Sequence, residues 1–273
     1  MTKQFAAEVE FPKKSIVGIL NITPDSFSDG GEAETLSAVL QKTTEMIQQG
    51  ASVIDVGAES TRPSAIAISP AEEWQRLYAA LPEVIELCRA HNNLISVDTR
   101  HPETAQKAIT LGVDWVNDVS GEISTGMLDV LKESPVKYVL THSLGAPANP
   151  TNVMDTTDVV GDILVWAAEK ISFLESEGII RDRVIFDPGI GFGKNAEDCL
   201  KLIQNAKLFH QLGVEILYGH SRKSFLSRIT YHGLSGDRDK DTAQLSRILA
   251  LQGVQYLRVH NVAANLQAIR SEM

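Results

Sequence analysis

Cysteine, positive charge and long apolar runs are all scarce in this chain, and each scarcity narrows what it can be. Cys88 and Cys199 are the two cysteines in 273 residues. Their separation is neither a metal-type nor a redox-type spacing, which excludes a disulfide-stapled scaffold and makes a reducing compartment the natural setting. No stretch approaches the roughly 20 consecutive apolar residues of a membrane-spanning helix. The opening MTKQFAAEVEFPKK also lacks the apolar centre of a secretory signal. We therefore expect a cytosolic protein with no membrane association. Lys and Arg number 25 against 35 Asp and Glu, a formal net charge of −10. Such a balance argues against nucleic-acid binding, which needs a basic face. It also sets a condition. An anionic substrate would be repelled by the molecule as a whole, so a local cluster of Arg, Lys, His or a metal must reverse the field where it binds.

What is present is the composition of an ordinary globule, 43% hydrophobic and 22% charged, at a length that suits one α/β barrel. Eight short β-branched runs alternate with longer helical patterns. The runs are Ser15 to Thr23, Val53 to Glu59, Leu94 to Arg100, Trp115 to Ser120, Tyr138 to Ser143, Val184 to Ile190, Glu215 to Ser221 and Tyr256 to Asn261. Most are nearly continuously apolar, as strands buried on both faces of a parallel sheet must be. Between them, Ala71 to Arg89, Val159 to Glu177 and Glu197 to Leu212 carry helical periodicity, with Pro82 predicting a kink or two shorter helices in the first. Gly50, Gly112, Gly178, Gly213 and Gly253 each follow a helical pattern and precede a strand, where a left-handed cap is wanted. Eight βα units with no run left over predict a closed (β/α)8 TIM barrel, one domain over residues 1–273, with residues 1–14 as a small cap at its bottom.

Polar residues follow a position rule. Reading the C-terminal end of each run in turn gives Asn21; Asp55 and Glu59; Asp98; Asn117 and Asp118; His142; Asp187; His220, Ser221 and Lys223; Arg258 and His260. Loop polarity alone would not place carboxylates and amides inside apolar runs such as VIDV, SVDT, VNDV and IFDP. In a closed barrel these ends converge on one mouth, where active sites of the fold are built. The stretches Thr23 to Gly31 and Ser60 to Ser64 read as long loops at that mouth, able to close over a ligand, although ordinary surface turns would also accept their composition.

Several blocks are similar to those of dihydropteroate synthases. They are GILNITPDSFSDGG (Gly18 to Gly31), VIDVGAESTRP (Val53 to Pro63), ISVDTR with VNDVSG, FDPGIGFGK (Phe186 to Lys194), GHSRKSFL (Gly219 to Leu226) and RVHNV (Arg258 to Val262), in family order from the first strand to the last. The resemblance implies a transferase of folate biosynthesis, in which the amine of 4-aminobenzoate displaces diphosphate from (7,8-dihydropterin-6-yl)methyl diphosphate. It assigns Thr61, Asp98, Asn117, Asp187 and Lys223 to the pterin, and Asn21, Arg62, Arg258 and His260 to the diphosphate. Thr61, Pro63, Phe192 and Ser221 fall to 4-aminobenzoate. The group acting in catalysis is Arg62, Lys223, Arg258 and His260, with Asn21 linked to Mg²⁺ as the cofactor. These cations are the local field reversal that the acidic composition demands. A helix starting near Ser221 could offer its N-terminal amides to the 4-aminobenzoate carboxylate. Phe192, between Gly191 and Gly193, reads as a mobile loop residue or as core.

The resemblance also implies a homodimer and sensitivity to sulfonamides. His142 and His220 are left out of the site, since a rim histidine more often packs or hydrogen-bonds. Departures from the family pattern are Thr141 and Ser143 around His142, Ala58, Asp241 and Asn261. Competing readings are a pterin-binding methyltransferase acting on a methylated folate, which has no need of Arg62, Arg258 and His260 around a diphosphate, and a non-catalytic pterin-binding paralogue.

Overall fold

The structure, a computed structural model, describes residues 16–22, 32–62, 65–149, 151–229 and 238–270. The expected cap at residues 1–14, the Gly-rich loop after the first strand and Pro63 lie outside them. Eight parallel strands close a barrel in sequence order: β1 (Ile16–Asn21), β2 (Val53–Gly57), β3 (Leu94–Asp98), β4 (Trp115–Asp118), β5 (Lys137–Thr141), β6 (Val184–Asp187), β7 (Glu215–Tyr218) and β8 (Tyr256–Val259). β8 closes onto β1 with Ile16 beside Leu257 and Gly18 beside Val259.

Helices alternate with the strands: α1 (Glu32–Gln48), α2 (Pro70–Tyr78), α3 (Leu81–Ala90), α4 (Pro102–Leu111), α5 (Thr125–Lys132), α6 (Val159–Ser176), α7 (Ala196–Gln204), α8 (Leu226–Ile229), α9 (Arg238–Leu251) and α10 (Val262–Arg270). Pro82 has the expected effect, since α2 ends at Tyr78 and α3 restarts with Pro82 in its first turn. Side-chain oxygens cap several helix starts, as Ser69 does for the Glu72 amide at 3.2 Å and Asn195 for the Asp198 amide at 2.9 Å. The segment Glu197 to Leu212 is not one helix. The Asn205 side chain donates to the Lys201 carbonyl at 2.8 Å and ends the ladder, and Ala206–Leu212 continues as a 3₁₀ helix.

Side-chain alternation along the strands decides where the site lies. Val17, Val53, Trp115, Val139, Ile185, Leu217 and Tyr256 point inward and pack as one buried plug, with Trp115 and Tyr256 edge to face at 4.9 Å. Each such buried aliphatic contributes about 1.5–3 kcal/mol. Below the plug, Glu215 pairs with Lys137 and accepts the Tyr256 hydroxyl. Two residues above it on the same faces come Asp55, Ser96, Asn117, Thr141, Asp187 and Arg258. The residues between, such as Ile54, Val56, Ile95, Val97, Val116, Leu140 and Phe186, face outward and join the larger core under the helices. Among the described residues no helix is long and apolar enough to cross a membrane.

Candidate active site

Arg258 is the hub of the barrel mouth. Its Nε donates to Asp55 Oδ2 at 2.5 Å and its Nη2 to Asp98 Oδ2 at 2.5 Å, so one guanidinium on β8 spans the barrel to β2 and β3. The Asn117 amide donates to the same Asp55 oxygen at 3.1 Å. Burial works to strip the charge from Arg258, but Asp55 and Asp98 more than offset it and hold it firmly protonated. Asp98 is raised above the ordinary carboxylate range by burial, against the pull of Arg258 and with Asp55, Glu73 and Asp118 pushing further. The resemblance places Arg258 on the diphosphate; in this structure its guanidinium is bonded to Asp98, assigned to the pterin, and to Asp55. Asp55 is absent from the residues assigned by resemblance, although its place inside VIDV marks it.

Asp187, at the end of β6, lies beside Lys223. Burial raises the Asp187 carboxyl, while the Gly189 amide (2.8 Å to Oδ1) and Lys223 favour its ionised form. Two glycines permit this packing. A side chain at Gly219 would stand 3.3 Å from Asp187 Oδ2, and Gly189, at φ 70°, would drive one into the His142 carbonyl. Lys223 is lowered to about 8 by burial, with Asp187 opposing and Arg258 assisting. Its ammonium sits 4.0 Å above the Phe192 ring centroid, an attractive cation–π contact. Phe192 is therefore no loose loop residue. It is buried against Val119 and Ala148, because the turn from Gly189 to Gly193 folds it back over the barrel end.

Behind this turn lies a clamp that the sequence reading did not assign. Buried Lys194 donates to the carbonyls of Phe192 (2.9 Å) and His142 (3.1 Å) and meets His142 Nδ1 at 2.9 Å. Burial lowers its pKa to about 7, and burial together with Lys194 lowers His142 to about 3. The His142 ring rests edge-on against Trp166 at 4.7 Å. His220 is likewise buried, bonded to Ser246 Oγ at 2.9 Å and Thr242 O at 3.2 Å. Both are packing histidines.

The cationic rim lies on the β7 and β8 side. His260 Nδ1 and Ser221 Oγ are 2.9 Å apart, and the His260 amide donates to the same hydroxyl at 3.2 Å. Burial, then Arg222, Arg258, Arg62 and Lys42, drive the His260 pKa down to about 3. Four cations thus act on one imidazole, although Arg258 is shared with Asp55 and Asp98 and Arg222 with Asp239. Arg62 is exposed, and the Thr61 carbonyl just before it accepts the Ala148 amide at 3.3 Å, which ties this loop to the one after β5. Asn21 ends β1 on the inward face shared with Val17.

One expectation is corrected: no helix begins at Ser221. Arg222 takes a left-handed turn at φ 57°, its side chain pairs with Asp239 at 2.6 and 2.8 Å, and α8 starts only at Leu226. Ser221 therefore brings a hydroxyl committed to His260, with no helix terminus behind it. The Asn261 departure is absorbed locally, since its amide donates to Asp239 at 3.2 Å and its oxygen accepts the Ala264 amide at 3.0 Å.

The depressed His260 pKa has a stability sign. Between pH 6.5 and about 3 the unfolded chain binds a proton that the folded chain refuses, so this group costs stability as pH falls through that window. We expect heteronuclear NMR to show a neutral His260 imidazole at pH 5.5 in the free protein, and added inorganic diphosphate to raise its pKa. An imidazole already charged at pH 5.5 would contradict this electrostatic description.

Carboxylates and an amide at the barrel floor, with a buried ammonium beside them and cations at the rim, suit a flat heterocycle carrying an anionic tail. Residues 17–260 match the model of the pterin binding enzyme family. The chain belongs to that family. It is 39% identical over 96% of its length to a probable bifunctional folylpolyglutamate synthase/dihydropteroate synthase of Halobacterium salinarum. It spans 31% of that relative, and between 30% and 58% of the bifunctional relatives it matches. Among solved structures it resembles the dihydropteroate synthase of Anaplasma phagocytophilum with bound 6-hydroxymethylpterin-monophosphate (TM-score 0.86, 36% identity, covering 95% of this chain and 98% of that one). It also resembles the dihydropteroate synthase of Xanthomonas albilineans with 4-aminobenzoic acid (TM-score 0.85, 34% identity, covering 94% and 90%). Within the pterin binding enzymes, its relatives by sequence and by structure are thus dihydropteroate synthases.

Proposed function

We propose that this pterin binding enzyme condenses (7,8-dihydropterin-6-yl)methyl diphosphate with 4-aminobenzoate, giving 7,8-dihydropteroate and diphosphate. The observation that carries the reading is the floor itself: Arg258 fixed between Asp55 and Asp98, with Asn117 on the same carboxylate and the Asp187–Lys223 pair alongside. That set presents acceptors and donors at the end of an apolar barrel, as the amide and amino edge of a pterin requires. The relatives with a pterin monophosphate and with 4-aminobenzoic acid bound support the same pairing of substrates.

In this reading the bond from the pterin methylene to the diphosphate oxygen breaks first and its electron pair leaves with diphosphate. Arg62 and His260 face the departing charge, and neutral His260, its Nδ1 engaged with Ser221, presents Nε2–H as a donor. The aryl amine then forms the new C–N bond and loses one proton to solvent. An aniline nitrogen is already neutral near pH 7, so electrostatic stabilisation and positioning supply most of the catalysis. Asn21 would hold Mg²⁺ jointly with the diphosphate, and the ion would neutralise leaving-group charge when bound. The fit is that of an ion with few protein ligands. Asn21 offers one inward amide oxygen at the end of β1, and diphosphate and water would supply the remaining ligands. Thr61, Pro63 and Phe192 line the 4-aminobenzoate slot in this proposal, which extends to a cytosolic homodimer inhibited by sulfonamides.

The test is direct. Purified protein given both substrates and Mg²⁺ should release dihydropteroate and diphosphate in equal amounts; the appearance of neither would sink the proposal. Calorimetry should show 4-aminobenzoate binding at least tenfold tighter when inorganic diphosphate and Mg²⁺ are present, because they order the rim. Equal affinity without them would refute ordered binding.

A further inference from the structure

A second cluster of ligand-type side chains stands at the root of the loop after β2, apart from the groups that would touch substrate. Glu59 follows β2, Glu73 lies in α2, and His101 directly precedes α4. One carboxylate oxygen from each glutamate and one imidazole nitrogen lie within 4.8 Å of one another. We propose that Glu59, Glu73 and His101 form a binding site for a divalent transition ion of the zinc class.

The case rests on which atoms are engaged and which are not. Arg100 grips Glu59 through Nε at 2.8 Å and Nη2 at 3.0 Å, and the Ile68 amide donates to its Oε1 at 3.1 Å. The Thr99 hydroxyl donates to Glu73 Oε2 at 2.7 Å. These bonds orient both carboxylates from outside, the role that surrounding donors play around metal ligands. Inside, Glu73 Oε1 and His101 Nε2 are buried with no hydrogen-bond partner among the described residues. The buried Thr104 hydroxyl lies close enough to Glu73 to favour its ionised form, and it is the protein donor that an ion would displace. Glu73 itself is fully buried, so an unpaired oxygen there is costly, and a cation would satisfy it.

Ligand identity selects the ion. An imidazole with two carboxylates suits Zn²⁺, Co²⁺ or Fe²⁺, whereas Mg²⁺ and Ca²⁺ take all-oxygen sets. Three protein ligands leave one position for water, and the His101 side chain, 14% exposed, provides the way in. His101 Nε2 and Glu59 Oε2 are 3.9 Å apart. Ligands about 2.0 Å from a tetrahedral ion stand roughly 3.3 Å from one another, so side-chain shifts of at most about 1.5 Å would close a set whose atoms now lie within 4.8 Å. Glu59 precedes Arg62 by three residues. An ion here would pin the root of the loop that carries Thr61 and Arg62, joining it to α2 and to the β3–α4 connection. The competing arrangement is a hydrogen-bonded network in which Glu73 keeps a proton and no ion binds.

Chelator-treated protein in Mg²⁺-free buffer, titrated with Zn²⁺ against a fluorescent chelator, separates the two. We expect one Zn²⁺ per chain, and with Co²⁺ an intense visible absorption band from a four-coordinate ion. His101→Ala should weaken Zn²⁺ binding at least tenfold and abolish the band while keeping zinc-free turnover unchanged. Glu73→Gln, checked for native circular dichroism, should weaken binding similarly. Absence of stoichiometric uptake by the unsubstituted protein, or undiminished affinity in either folded variant, overturns the site.

Discussion

Replacing Arg258 with methionine is expected to destabilise the protein by about 3–5 kcal/mol at neutral pH, the usual cost of breaking a buried ion pair by removing one partner. The guanidinium is the shared counter-charge of Asp55 and Asp98, bonded to each at 2.5 Å. Methionine fills the space of the arginine stem without its charged head, so the loss combines a missing counter-charge with a small cavity. The pH dependence identifies the cause. Without Arg258, Asp98, already raised by burial, holds its proton more tightly still, so the folded variant binds more protons than the unfolded chain and loses stability as pH rises. The urea midpoint difference between variant and parent should therefore be smaller at pH 5 than at pH 8. A difference independent of pH would show that Arg258 acts by packing alone. Activity should fall with stability, since the same change releases Asp98 from its orientation at the floor.

The second large effect is at Asp187. Asp187→Asn is expected to lower kcat/KM for the pterin diphosphate by about 10²-fold, corresponding to roughly 3 kcal/mol for a lost charge-assisted hydrogen bond. Asp187 also sustains the charge on Lys223, whose pKa burial has already brought to about 8. Removing the carboxylate moves that pKa lower still, so less of the ammonium is present at pH 7.5. The alkaline limb of the kcat/KM profile should consequently shift to lower pH in the variant. A profile that keeps its shape while dropping in height would mean that Lys223 does not bear on the rate. Asparagine can still accept the Gly189 amide, which keeps the turn bearing Phe192 in place.

Much of the architecture is legible in the sequence alone. The eight β-branched runs correspond to β1 through β8, and Gly50, Gly112, Gly178, Gly213 and Gly253 all take the positive φ that their places between helix and strand required. Pro82 divided its helix as expected, because a proline tolerated in a first turn is costly in a helix interior. The single helix expected through Leu212 failed, since periodicity cannot distinguish an α from a 3₁₀ continuation once Asn205 caps the ladder. The helix start expected at Ser221 failed because the left-handed turn at Arg222 is set by its tie to Asp239, which no local pattern reveals.

What the sequence determined by itself was the barrel, its mouth, and the need for a cation cluster there. Period-two alternation places Asp55, Asp98, Asn117, Asp187 and Arg258 on inward faces regardless of their partners. Only the tertiary structure decided the pairing. Arg258 and Asp55 are separated by 203 residues, and closure of β8 against β1 brings that arginine into reach of β2 and β3. Pairing of neighbouring strands likewise produced the Lys194 clamp, between the ends of β5 and β6, and the Glu59–Glu73–His101 cluster, between the β2–α2 unit and the β3–α4 connection. Charge and periodicity are local properties, readable one segment at a time. Which charge neutralises which depends on the curvature and register of the whole sheet.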